Sequence, residues 1–140
     1  MYKISLYSVG KNKERWLQEA LDLYQTRLSN QIKLQFIWVK NSNQLLKFLE
    51  NEKNIICFDP KGPLLTSEEF SKTLFKELER GGCQLALVIG EAQGLHPSLK
   101  NYPLISLSKM VFTHQMTRLI VAEQIYRALA IKQGSPYHLS

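Results

Sequence analysis

The chain has 140 residues, of which 44% are apolar and 21% charged, and carries a formal net charge of +6. That length bounds one domain with a real buried core, and the composition excludes a disordered tail. No apolar run approaches the roughly 18 residues a membrane span needs, and Met1-Tyr2-Lys3-Ile4-Ser5 lacks the apolar heart of a secretory signal, so a cytoplasmic protein is expected.

Tyr2 to Val9 reads as a strand ended by Gly10. From Asn12 to Leu28, Trp16, Leu17, Ala20, Leu21, Tyr24 and Leu28 recur at helical spacing with Lys and Arg opposite, which predicts an amphipathic helix. Leu34 to Val39 is a second strand, and Asn43 to Asn51 a short helix carrying Leu45, Leu46 and Leu49. Asn54 to Phe58 is apolar almost throughout, the pattern of a strand covered on both faces in a parallel sheet. The turn Asp59-Pro60-Lys61-Gly62-Pro63 follows, and Thr66 with Glu69 forms a capping box opening a helix to Glu79. Gly81-Gly82 closes it, Gln84 to Ile89 is a fourth strand, and a short helix from Pro97 leads to a fifth strand over Leu104 to Leu107. A long helix from Gln115 to Gln133 is apolar around most of its girth and is stopped by Gly134 and Pro136. That girth implies burial on two sides, by the sheet and by a second body such as another copy of the chain.

Strands alternating with helices predict an α/β fold with a mainly parallel sheet of about five strands and flanking helices in a single domain, residues 1–140. Cys57 and Cys83 are expected to be buried, reduced thiols. Residues 1–40 hold seven basic and three acidic side chains and residues 104–140 hold four and one, so the positive excess lies at the two ends. If those ends meet in space they form a basic surface suited to nucleic acid.

Ligands of open parallel sheets bind beyond the carboxyl ends of the strands. Three such ends stand out: Phe58-Asp59, Gly90, and Leu107 to Phe112. Gly90 and Gly94 bracket a turn where backbone can approach a ligand, although a plain strand-to-helix turn reads the same way. Neither dinucleotide nor P-loop spacing is present, and no His/Cys grouping supports a metal. His96 before Pro97 reads as a surface residue, and Thr113 as an N-cap beside His114, whose role is either local hydrogen bonding or ligand contact. Glu123 and Arg127 are spaced for a helical ion pair.

Taken in order, Val88-Ile89-Gly90 with Gly94-Leu95, the run Leu107-Ser108-Lys109-Met110-Val111-Phe112 with His114-Gln115-Met116 and Arg118, then Glu123-Gln124, Tyr126-Arg127-Ala128 and Tyr137-His138, closely resemble the bacterial ribosomal RNA large subunit methyltransferase H family of the SPOUT class. The resemblance covers nearly the whole chain and is strongest over residues 84–138. It implies a sheet whose C-terminal segment forms a trefoil knot, which ordinary topology rules argue against. It also implies a homodimer that uses S-adenosyl-L-methionine to methylate a pseudouridine ring nitrogen of 23S rRNA on assembled ribosomes. The family's cofactor positions fall on Phe58, Gly90, Leu107, Ser108, Lys109, Met110, Val111 and Phe112, the three strand ends reached from the pattern alone. For deprotonating the base the candidates are His138 first, then Tyr137 and His114. Lys109, Arg118 and Arg127 are the candidates for rRNA phosphates. Four departures from the family pattern stand out: Glu91 replaces a Gly, Thr113 a Pro and Phe58 a Leu, and the connection after the second strand is short. Alternatives within the same fold are a non-catalytic ribosome-binding module and a methyltransferase of another RNA.

Overall fold

The structure is a computed structural model that describes residues 1–91 and 94–138. Five strands, β1 (Tyr2–Val9), β2 (Ile32–Val39), β3 (Ile55–Phe58), β4 (Gln84–Ile89) and β5 (Leu104–Ile105), form one sheet in the order β2-β1-β4-β3-β5. Every pairing in it is parallel. The helices are α1 (Arg15–Leu28), α2 (Ser42–Leu49), α3 (Ser67–Arg80) and α4 (His114–Gln133), with a 3-10 helix at Pro97–Asn101.

Period-two alternation divides the strand residues between two apolar layers. Ile4, Leu6, Ile56, Phe58, Leu85, Leu87 and Ile89 face α3 and α4, where Phe70, Leu74, Leu78, Val121, Ile125 and Leu129 complete the layer. Tyr7, Val9, Cys57, Ala86 and Val88 face the opposite way, onto Leu45 and Leu49 of α2 and Leu99 of the 3-10 helix. Both faces of the central strands are thus covered, which is why those strands are apolar without interruption.

The local signals predicted from sequence act as expected. Thr66 and Glu69 form the reciprocal capping box of α3. Thr113 caps α4, and Gly134 ends it in the left-handed conformation at φ 69°, its N–H reaching the carbonyls of Ala130 and Ile131.

Three expectations need correction. β5 spans two residues rather than four, because beyond Phe58 its partner strand turns away: Asp59 N–H still reaches the Ile105 carbonyl, but Lys61 N–H, the next donor in that register, bonds the Asp59 carboxylate instead. Ser106 N–H bonds the Pro63 carbonyl instead. Cys57 is buried and free, but Cys83 is exposed. It sits at φ 66° in the turn after α3, with its N–H on the Leu78 carbonyl, so the left-handed backbone carries its side chain outward. Third, α1 begins three residues later than the periodicity predicts and β2 two residues earlier.

The chain leaves β5 at the edge of the sheet, passes the carboxyl ends of its neighbours, and begins α4 beside the end of β1. Arg118 fixes this return by bonding Ser8, Val9 and Gly10. α4 then runs between α1 and α3: Ala122 packs with Leu17 and Leu21, and the Ser71 hydroxyl donates to the Ala128 carbonyl at 2.8 Å. The two basic ends of the chain are therefore neighbours in space.

Candidate active site

The carboxyl ends of β3, β4 and β5 converge on a cavity of about 290 Å³, near the lower limit of small-molecule sites. All eight residues expected to hold the cofactor line it: Phe58, Gly90 and Leu107 to Phe112. Asp59, Glu91, Leu95, Ser106, His114 and Thr117 complete much of the wall. Phe58, Ile89, Leu95 and Leu107 supply the apolar part of the wall. Met110 and Val111 stand on the rim, 75% and 93% exposed, so this edge is open to whatever docks there.

Two close backbone approaches shape the cavity. A Cβ at Gly90 would lie 3.0 Å from Leu95 Cα, so the residue is glycine because the Gly94-Leu95 turn folds back onto it. The turn is held by the Gly94 N–H on the Glu91 carbonyl at 2.8 Å; Ala92 and Gln93, its other residues in the sequence reading, lie outside the described residues. A Cβ at Gly62 would come within 2.8 Å of the backbone of Leu104 and Ile105, so the turn after β3 can press on β5 only with glycine there. In the 107–112 bend, the Ser108 hydroxyl accepts from Met110 N–H at 2.9 Å.

His114 opens α4 on the cavity wall with its Nε2 buried and without a hydrogen-bond partner. Burial holds its pKa below the ordinary histidine value, the nearby Arg118 charge lowers it further, and a hydrogen bond to the Val9 backbone only partly opposes them. The imidazole is therefore neutral at neutral pH.

Arg118, expected on a phosphate, lies inside the molecule at 1% exposure. Its Nε donates to Ser8 Oγ at 2.8 Å, and its Nη2 donates to the Val9 and Gly10 carbonyls at 2.9 and 2.7 Å. Its guanidinium lies 4.3 Å from the centre of the Trp38 ring. The end of β1 presents carbonyls that need donors, and a fork of N–H groups satisfies them where a solvated charge could not.

The C-terminal pair is anchored on its own helices and lines no part of this cavity. Tyr137 donates from its hydroxyl to Glu123 at 2.7 Å and packs edge-on against Tyr126. Burial, followed by the Glu123 carboxylate, raises its pKa. His138 sits between Arg127 Nη1, 2.9 Å from its Nδ1, and Glu68 Oε1, 2.6 Å from its Nε2. A guanidinium only donates and a carboxylate only accepts, so Nε2 carries the hydrogen and the Nδ1 lone pair is taken. Arg127 pairs with Glu123 at 2.9 Å, as the spacing predicted. His96 caps the 3-10 helix through Nδ1, accepting from Ser98 N–H.

The sequence reading missed a basic lip. Gly10 N–H bonds the Val39 carbonyl at 2.7 Å, which brings Lys11 and Lys40 just past the carboxyl ends of the paired strands β1 and β2. Both are exposed, and neither belongs to an ion pair among the described residues. Their separation in sequence hides the pairing until the β1–β2 register is known. No group of acidic, His or Cys residues among those described forms a metal site.

An edge-of-sheet cavity entered by a returning C-terminal helix defines a class. A family model described as "Predicted SPOUT methyltransferase" matches residues 2–138. The ribosomal RNA large subunit methyltransferase H of Protochlamydia amoebophila (strain UWE25) is 50% identical over 139 residues, covering 99% of each chain. The protein of that name from Clostridium botulinum (strain Okra / Type B1) is 40% identical, covering 96% of this chain and 98% of the other. Among solved structures, one concerned with 2-OH methylation of C/U34 on tRNA superposes at a TM-score of 0.51 with 14% identity, covering 95% of this chain and 98% of that one. The A. aeolicus TrmH/SpoU tRNA modifying enzyme gives 0.50 at 14% identity, covering 99% and 81%. The chain belongs to the ribosomal RNA large subunit methyltransferase H family of SPOUT methyltransferases. The structural matches share its fold, and the return of α4 from the sheet edge to β1 is consistent with the knotted form of that fold.

Proposed function

We propose that this chain is an S-adenosyl-L-methionine-dependent methyltransferase of 23S ribosomal RNA, acting on a pseudouridine ring nitrogen in assembled ribosomes. One observation carries the reading: the eight positions that the family resemblance assigns to the donor line a single cavity at the carboxyl edge of the sheet. The walls fit such a donor in kind. Apolar side chains from β3, β4 and the 107–112 bend suit its adenine, and the Asp59 and Glu91 carboxylates suit its positive charges.

When bound, the donor supplies an electrophilic methyl group on its sulfonium. The protein's work is to position the base in line with it and to take the ring proton. His114 suits that second task better than the tail: it lines the cavity and is neutral, and its Nε2, buried and without a partner, must be uncovered when the base docks. In this chain His138 has no free lone pair, and Tyr137 gives its hydrogen to a carboxylate. The tail residues act as a base only if a second copy of the chain or the RNA draws them to a cavity. Lys109 on the cavity wall and the Lys11–Lys40 lip supply phosphate contacts, with Arg127 at the margin of the tail network. Exposed Trp16 on α1 and Met116 on α4 support a homodimer buried on these helices. No described helix is long and apolar enough to cross a membrane, in keeping with action on ribosomes in the cytoplasm.

Nucleoside mass spectrometry of rRNA tests the reading. Ribosomes lacking the modification, incubated with protein and S-adenosyl-L-methionine, should gain one methylated pseudouridine; ribosomes left unchanged would leave a binding module as the better account.

A further inference from the structure

Glu91 is a charged residue on the wall of the donor cavity whose two oxygens are used unequally. Its Oε2 accepts from the Ser42 hydroxyl at 2.5 Å. Ser42 is itself buried at the start of α2, 7% exposed, so the carboxylate is tethered to a fixed element rather than swinging in solvent. No cation lies within ion-pair distance of Glu91 among the described residues. Asp59, 7% exposed on the same wall, also lacks a cationic partner; one of its oxygens accepts from Lys61 N–H at 2.8 Å. Two carboxylates on the wall against one lysine, Lys109, which is exposed and pairs with neither of them, leave the partly enclosed cavity net negative, and a cationic ligand gains more there than in water.

We propose that Glu91 makes the cavity discriminate between the cationic methyl donor and its neutral thioether product. The inference rests on the donor reading above. Methyl transfer moves the carbon to the base while the sulfur keeps the bonding electron pair, so the sulfonium becomes an uncharged thioether. The carboxylate then loses its attraction for that sulfur, and product leaves more readily than donor. Glu91 is a specificity residue in this scheme; it moves no proton.

Isothermal titration calorimetry of the full-length protein with three ligands tests this: S-adenosyl-L-methionine, S-adenosylhomocysteine and sinefungin, which carries an ammonium in place of the sulfonium. The wild type should bind the two cationic ligands more tightly than the thioether. In Glu91→Gln, which keeps an oxygen for Ser42, that preference should fall by roughly tenfold. The loss should come from the cationic ligands, with thioether binding unchanged. Ser42→Ala, which frees the carboxylate, should give an intermediate preference. If Glu91→Gln weakens all three ligands equally, the carboxylate contacts the ribose or the amino-acid portion and the proposal is overturned. An unchanged preference overturns it as well. A wild type that binds none of the three removes the donor reading itself, a result distinct from the other two.

Discussion

His114 and Arg118 lie one helical turn apart at the start of α4, and the charge of the second shapes the first. His114→Gln should lower the turnover of rRNA methylation by on the order of a hundredfold or more while leaving calorimetric donor affinity within a few-fold; unaltered turnover would dismiss it as the proton acceptor. The same residue sets a pH dependence. Its folded pKa lies below its unfolded value near 6.5, so in the window beneath 6.5 the unfolded chain binds more protons than the folded one. Stability should be flat above about pH 6.5 and decline as pH falls through that window. Urea unfolding at several pH values checks this, and His114→Gln should flatten that part of the curve. Arg118→Leu would leave Ser8 and the carbonyls of Val9 and Gly10 without their donor. A buried acceptor left without its donor costs about 1–3 kcal/mol, so a loss of about 2–4 kcal/mol is expected from the urea midpoint, and a loss below about 1 kcal/mol would mean that the fork is dispensable.

At the level of elements, the contrast between what was readable and what was not follows contact distance along the chain. The capping box of Thr66 and Glu69 and the left-handed end at Gly134 depend on neighbours within one turn, and both are visible in the sequence. The three strand ends at the cavity were legible because apolar runs ending at Phe58, Ile89 and Leu107 must finish at one edge of a parallel sheet. Gly62 and Arg118 were not, since their reasons lie in β5 and at the end of β1. Arg118 looks like any helical cation until the return of α4 is known. Likewise the length of β5 depends on where its partner turns, a matter of the Asp59–Lys61 contact rather than of β5's own residues. Gly62→Ala tests that dependence: a Cβ 2.8 Å from the Leu104 and Ile105 backbone must push β5 off the sheet. It should cost about 1–3 kcal/mol and speed amide exchange at Asp59, whose N–H bonds the Ile105 carbonyl, and at Ser106, whose N–H bonds the Pro63 carbonyl of the turn. Unchanged exchange at both would show that the turn and β5 are not coupled.

For the whole molecule, the sheet gathers on one edge a cavity with apolar walls, two carboxylates, a neutral imidazole and a lip of lysines. The two ends of the sequence meet because α4 packs beside α1 and the end of β1; there Arg118 is buried and Arg127 and Lys132 are ion-paired, which leaves the exposed Lys11, Lys40 and Lys109 to face a polyanion. Ribosome affinity should therefore fall steeply as salt rises. Replacing Lys11, Lys40 or Lys109 with Ala should reduce the slope of log K against log salt by about 0.7–0.9 per residue, whereas salt-independent binding would contradict a phosphate-facing lip. Beneath this lies the claim that one cavity seats the methyl donor. A crystal structure with S-adenosylhomocysteine tests that most directly. The account predicts the ligand between Phe58, Gly90 and the 107–112 bend with its sulfur open toward His114. Ligand seated anywhere else on the chain, with that bend empty, would contradict it.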